Sequence, residues 1–283
     1  MRRPISSPAR HPHRSRHSRS RARPRACART SRPSPPIRRR TAATDVDIAA
    51  ITLDLDDTLW PIEPVIVRAE ERLDAWLKVN CPRAAAAYPI AALRELRDRI
   101  AAEQPHLAHD YSAQRRLSLQ HALSPHGYGD AHIDAAYAEF YAARNEVDCY
   151  ADTLPALERL AARFPLVSLS NGNADLRRIG LERFFRCSVS ARECGVAKPD
   201  PAIFRVACDA LGLPANVVLH VGDDALLDVA GAHAAGMRSA WVNRHGAAWT
   251  GGAPAHLSVV NLNELADRLL PHCEADSRHR ALA

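Results

Sequence analysis

Short apolar runs, each ending in a polar or acidic residue, recur along this chain with helical stretches between them, and no other feature narrows the fold as far. IAAITLDL (48–55), PLVSLSN (165–171), VVLHVGD (217–223) and SAWVN (239–243) read as buried parallel strands. Residues 155–163, 201–211 and 225–235 carry helical spacing. Such alternation predicts an α/β domain with a doubly wound parallel sheet. It is interrupted once, after the first strand. From residue 65 to about 150 the chain is rich in Ala, Leu, Arg and Glu, with breaks at Pro82, Pro105 and the Pro125–Gly129 stretch, which predicts about four helices. The expected organisation is a sheet core of residues 45–62 and 151–273, an α-helical cap at 63–150, and tails at 1–44 and 274–283.

The two ends of the charge scale are separated in the sequence. Residues 1–44 hold 14 arginines and no acid, whereas residues 45–283 carry 24 basic against 32 acidic side chains. The whole-chain charge of +6 therefore describes neither part. With Ile5 and Ile37 as its only sizeable aliphatic residues, the tail cannot offset its ordering entropy and is predicted to be disordered. Three other readings stay open for it: a polybasic arm binding nucleic acid non-specifically, a transit peptide (although no apolar face is present), and an over-extended gene start. Nucleic acid is not expected to bind the acidic body. No run of apolar residues is long enough to span a bilayer. Seven scattered cysteines without a C-x-x-C pair suit a reducing, cytoplasmic setting better than a disulfide framework. Oligomeric state has no signature in the sequence.

In open α/β sheets the working groups lie beyond the carboxyl ends of the strands. Here the first run ends in Asp54-Leu55-Asp56-Asp57-Thr58, the second in Ser170-Asn171-Gly172, and the third in Gly222-Asp223-Asp224, with Asp228 a turn further on. Any one of these is also a plausible helix N-cap. Five carboxylates converging from two strand ends would repel one another unless a cation lay among them. An oxygen-only set without His or Cys suits a hard ion, and Mg²⁺ in particular. Lys198, in Ala197-Lys198-Pro199, is one of only two lysines among 38 basic residues, the other being Lys78. A compact ammonium in a chain that otherwise uses arginine points to a positioned charge.

These segments, in this order, resemble the four motifs of the haloacid dehalogenase-like (HAD) hydrolase superfamily: Asp54, Asp56 and Thr58 as D-x-D-x-T, then Ser170, then Lys198, then Gly222-Asp223 with Asp228. The insert resembles the helical cap of the branch that includes phosphoglycolate phosphatase and the dehalogenases. ITLDLDDTLWPIEPVIVRAE, PLVSLSNGNADLRRIGLERFF and VLHVGDDALLDVAGAHAAGM are similar to bacterial phosphatases acting on FMN and on 5-amino-6-(5-phospho-ribitylamino)uracil, the phosphorylated riboflavin precursor.

The resemblance implies a Rossmann-like core and a Mg²⁺-dependent phosphomonoester hydrolase acting on a small phosphorylated metabolite. It makes Asp54 the nucleophile and Asp56 the general acid and base. It assigns Mg²⁺ to Asp54, the Asp56 carbonyl and Asp223, and the phosphoryl oxygens to Thr58, Ser170, the Asn171 amide and Lys198, with Asp228 orienting Lys198 or a metal-bound water. True dehalogenases lack an acid at the position of Asp56, because a halide leaves without a proton. Asp57 stands where many relatives carry glycine and reads as a loop residue; Asp224 reads as an N-cap. In the cap, Arg115 within His109-Asp110-Tyr111-Ser112…Arg115 either holds substrate or decorates a helix surface. Trp60 either stacks on a flavin-like ring or packs the flap. Phosphosugar, phosphoglycolate and nucleotide phosphatases are the alternatives within the fold. A nucleic-acid-binding or scaffold protein working through its basic arm is the alternative outside it.

Overall fold

The computed structural model describes residues 48–270; both expected tails lie outside the described residues. The first strand, β1 (Ala50–Leu53), is buried along its whole length. Its side chains alternate between two apolar clusters, as the two-residue period of a strand requires. Ile51 and Leu53 join one cluster with Leu157 and Leu160, while Ala50 joins another with Ile203, Phe204 and Ala207.

Five more strands complete the sheet: β2 (Leu166–Ser170), β3 (Cys187–Ser190), β4 (Val218–Gly222), β5 (Arg238–Val242) and β6 (Leu257–Val259). All pairings are parallel, in the order β3-β2-β1-β4-β5-β6. On one face lie α6 (Thr153–Ala161) and α11 (Leu262–Leu269). The other face carries α9 (Pro201–Leu211) and α10 (Gly231–Ala234), the latter preceded by a π-helical turn over Ala225–Ala230. The short α7 (Leu176–Ile179) and α8 (Ala191–Cys194) link the strands near β3. The strand order reverses direction at β1, between β2 and β4, which opens a crevice at their carboxyl ends.

The chain leaves β1 directly into the insert. Its helices are α1 (Ile62–Asn80), α2 (Pro82–Ala87), α3 (Ile90–Glu103), α4 (Tyr111–Leu123) and α5 (Asp130–Arg144). Pro89 adds a break that the spacing alone did not require, so one expected helix divides into α2 and α3. Helix α1 starts in the sheet core, where Val65 packs, and runs into the cap, where Ala69, Leu73 and Leu77 form a stripe at helical spacing. That stripe packs with Ala136, Phe140 and Ala143 of α5 in an apolar cluster of the cap's own. Among the described residues no helix is long and apolar enough to cross a membrane.

Candidate active site

The end of β1 is tied to β4 by the Asp54 amide, which donates to the Val221 carbonyl at 2.9 Å. Asp54 is 7% exposed, and its Oδ1 accepts from Lys198 Nζ at 2.5 Å. The same ammonium donates to Asp228 Oδ1 at 2.6 Å. Lys198 reaches this point because the Asn171 side chain clamps its loop: Asn171 Oδ1 accepts from the Lys198 amide at 2.7 Å, and Asn171 Nδ2 donates to the Lys198 carbonyl at 3.0 Å. Asp228 is brought in by the π-helical turn, a distortion often found at functional sites. It lies so close to the strand end that a Cβ on Gly222 would fall 2.2 Å from its Cγ, so only glycine fits there.

Behind Asp228 runs a buried relay. Parallel register places Thr52 beside His220, and Thr52 Oγ1 lies 2.8 Å from His220 Nδ1. His220 Nε2 lies 3.0 Å from Asp228 Oδ1, while Asp228 Oδ2 accepts from the Asp224 amide at 3.0 Å. Burial holds His220 below the usual histidine range, and hence neutral. Burial alone would raise Asp228, but the Lys198 charge and the His220 hydrogen bond bring it well below the usual carboxylate range. For Lys198, burial is outweighed by Asp228 and Asp54, so the ammonium stays charged.

That accounting leaves two carboxylates in excess of the positive charge. Oxygens of Asp54, Asp223 and Asp228 lie within 4.8 Å of one another, with Lys198 as the only ammonium among them. Asp54 is raised well above its ordinary value by burial, and Asp223 is pushed up to about 7 by burial and by the charges of Asp228 and Asp57. Both oxygens of Asp228 are already occupied, so Asp54 and Asp223 are the carboxylates with capacity for a cation. An oxygen-only, charge-deficient pair fits Mg²⁺.

Asp56 is held on the opposite side. Its Oδ1 accepts from Trp60 Nε1 at 2.9 Å, and Arg144 Nη2 bridges its Oδ1 and Oδ2 at 2.8 and 2.7 Å. The carboxylate is therefore held by the last residue of the cap's α5. Gly172 lies directly beneath, since a Cβ there would come 2.5 Å from Asp56 Oδ2 and 3.2 Å from Ser170 Oγ. Ser170 Oγ accepts from the Gly172 amide at 2.9 Å.

Asp54, Asp56, Ser170, Asn171, Lys198, Asp223 and Asp228 are thus gathered at one crevice. Three other residues take places that the sequence read differently or left open between two readings. Thr58, expected at phosphate, is fully buried and spends its hydroxyl on Asp223 Oδ1 at 3.1 Å, steadying that carboxylate instead. Trp60 is also fully buried, which leaves no ring face for a flavin; its indole N–H orients Asp56. Arg115 is no helix-surface residue: it is 4% exposed, sits 4.1 Å over the Phe140 ring and lines the cavity between cap and core. Asp57 adopts the left-handed conformation (φ 58°), which explains why glycine suits this position, and accepts from the Ile62 amide at the start of α1. Asp224 caps the π-helical turn. Sequence reasoning passed over His220 and Arg144. A histidine inside an apolar strand was a visible signal for the first. For Arg144, one arginine among 36, there was none.

The family model of the haloacid dehalogenase-like hydrolases matches residues 48–236, which take in strands β1 to β4 of the sheet and the entire cap. The chain belongs to this family. Among these hydrolases it is 32% identical, over 231 residues, to the 5-amino-6-(5-phospho-D-ribitylamino)uracil phosphatase YigB of Escherichia coli (strain K12), covering 80% of this chain and 92% of the relative. A 2-haloacid dehalogenase from Pseudomonas syringae pv. Tomato DC3000 superposes with a TM-score of 0.74 at 39% identity, covering 78% of this chain and 98% of the other. A HAD phosphatase from Thermococcus onnurineus shares the fold at a TM-score of 0.58 and 23% identity, over 78% and 97% of the two chains. Relatives named as phosphatases and as dehalogenases thus both resemble this hydrolase.

Proposed function

We propose that this hydrolase is a Mg²⁺-dependent phosphomonoesterase for a small phosphorylated metabolite, with 5-amino-6-(5-phospho-ribitylamino)uracil or FMN as the leading substrates, working in a reducing, cytoplasmic setting. The observation that carries the reading is Asp56, two residues beyond the nucleophile and oriented by Arg144 and Trp60. An alkoxide leaving group needs a proton and a halide does not, so a positioned acid serves ester cleavage.

In this scheme an Asp54 carboxylate oxygen attacks phosphorus, the ester P–O bond breaks, and the Asp56 carboxyl gives its proton to the departing alkoxide. Asp56 then takes a proton from the water that attacks the aspartyl-phosphate, which returns Asp54 and releases orthophosphate. Lys198, the Ser170 hydroxyl and the Asn171 amide balance charge on the phosphoryl oxygens, the main catalytic task in this chemistry. When bound at Asp54 and Asp223, Mg²⁺ supplies the remaining positive charge. Asp228 and His220 hold Lys198 in place.

The dehalogenase reading rests on the Pseudomonas syringae relative. One experiment separates the two. Phosphate release is measured over a panel of FMN, the ribitylaminouracil phosphate, phosphoglycolate, sugar phosphates and nucleotides, with Mg²⁺ or EDTA, beside halide release from 2-chloropropionate. Mg²⁺-dependent phosphate release without halide release supports the proposal, and the reverse outcome replaces it.

A further inference from the structure

The cap's wall of the cleft presents an ordered set of hydrogen-bonding groups that the proposed chemistry does not use. A cavity of about 410 Å³ lies between Asp56, Arg144 and Asn173 on one side and Arg97, Gln114 and Arg115 on the other. Gln114 is 5% exposed, and its Nε2 donates to the Leu107 carbonyl at 2.8 Å. That bond fixes the amide's orientation and leaves Oε1 as an acceptor with no protein partner. Beside it, the Arg115 guanidinium makes a single hydrogen bond, to Glu70 at a long 3.4 Å. Arg94 and Arg97 approach the same buried carboxylate at 2.5 and 3.9 Å. Arg97 also donates from Nε and Nη2 to Asp98 Oδ1, at 3.1 and 2.8 Å, on the same cavity wall; its Nη1, and the donors of Arg115 that Glu70 does not engage, remain to face the cavity. Burial and the Arg97 charge accordingly bring Arg115 down to about 10.

A ligand matching this wall offers a donor to Gln114 and acceptors to the guanidiniums. A carboxylate or second phosphate would satisfy the arginines but set its lone pairs against Gln114 Oε1. We propose that Gln114, Arg115 and Arg97 form the specificity edge of the site and read a cyclic imide on the leaving group, a ring N–H flanked by carbonyl oxygens. The ring N–H donates to Gln114 Oε1 and the carbonyls accept from Arg115 and Arg97. This assignment rests on the phosphatase reading and names the part of the substrate that the core motifs cannot select.

The test compares kcat/KM of the full chain for p-nitrophenyl phosphate, ribitol 5-phosphate, FMN and N3-methyl FMN, in wild type, Gln114→Met and Arg97→Met. Wild type is expected to favour FMN over ribitol 5-phosphate and N3-methyl FMN by at least about tenfold, the scale on which a site built around a hydrogen bond rejects an analogue lacking it. Gln114→Met should remove the N-methyl discrimination through KM, and Arg97→Met should weaken FMN turnover. Both should keep p-nitrophenyl phosphate within about twofold of wild type, since a small partner leaves this edge empty. Equal losses on every substrate, or a wild type indifferent to N-methylation, would overturn the assignment. If wild type hydrolyses no phosphate ester at all, the phosphatase reading fails instead. Riboflavin binding followed by its fluorescence then decides the edge separately: weaker binding in Gln114→Met upholds it, and unchanged or absent binding sinks it.

Discussion

Arg144, the last residue of α5, places one terminal nitrogen within 2.8 Å of both carboxylate oxygens of Asp56. The cap therefore touches the proposed general acid itself. Arg144 is 2% exposed, and its other terminal nitrogen, Nη1, is buried without a partner. A buried donor left unsatisfied costs about 1–3 kcal/mol, an expense that fold stability alone does not explain. Arg144→Met should lower kcat for p-nitrophenyl phosphate by at least about tenfold with a smaller change in KM, because the loss falls on orienting Asp56. Arg144→Lys should recover part of it. Steady-state kinetics matching wild type in the methionine variant would show that the ion pair is structural only.

Asp54→Asn should abolish turnover, since an amide cannot attack phosphorus, while Lys198 keeps Asp228 as its partner. Asp56→Asn should cost at least about 10²-fold, the lower end of general acid–base contributions. Circular dichroism would establish that both variants remain folded, and appreciable phosphate release from either would remove the proposed mechanism.

Because Asp54 and Asp223 bind protons more tightly in the fold than in an unfolded chain, they stabilise the folded metal-free protein at low pH, and this contribution is lost as pH rises, through about 7 for Asp223. Mg²⁺ competes with those protons. The increment in Tm produced by Mg²⁺ should therefore grow from acid pH and level off above about 7. Taking the difference with and without metal cancels the opposite contribution of neutral His220. Asp223→Ala should flatten the increment and raise the Mg²⁺ concentration needed for turnover. An increment independent of pH, or full activity in EDTA, would dispose of the metal assignment.

Lys198→Arg should impair catalysis although charge is kept. The ammonium sits between Asp54 at 2.5 Å and Asp228 at 2.6 Å in a space only 5% exposed, and a planar guanidinium cannot take that point. A kcat equal to wild type would mean that the site tolerates any cation there.

The strands β1, β2, β4 and β5 were legible because each is a buried apolar run, and the residues at their ends were legible because acids seldom follow such runs without a reason. The strands β3 and β6 were not: CSVS and LSV are short, partly exposed and carry little apolar pattern. The destinations of Thr58 and Trp60 depended on how the chain folds back after Asp57, a turn set by one left-handed residue that local spacing does not reveal. Arg144 was hidden for a different reason. Its partner lies 88 positions away, and only the packing of α5 against α1 brings the two together.

The apolar cluster of the cap shares no buried residue with the two clusters that flank the sheet. The proposed specificity edge and the proposed bond-breaking machinery thereby lie on separately cored parts of one chain. Residues such as Gln114 and Arg97 can drift, or a whole cap can be exchanged by recombination, without disturbing the packing that aims Asp54 and Lys198. The heritable constraint on such exchange is narrow: an incoming cap must still end its last helix on a side chain able to grip Asp56.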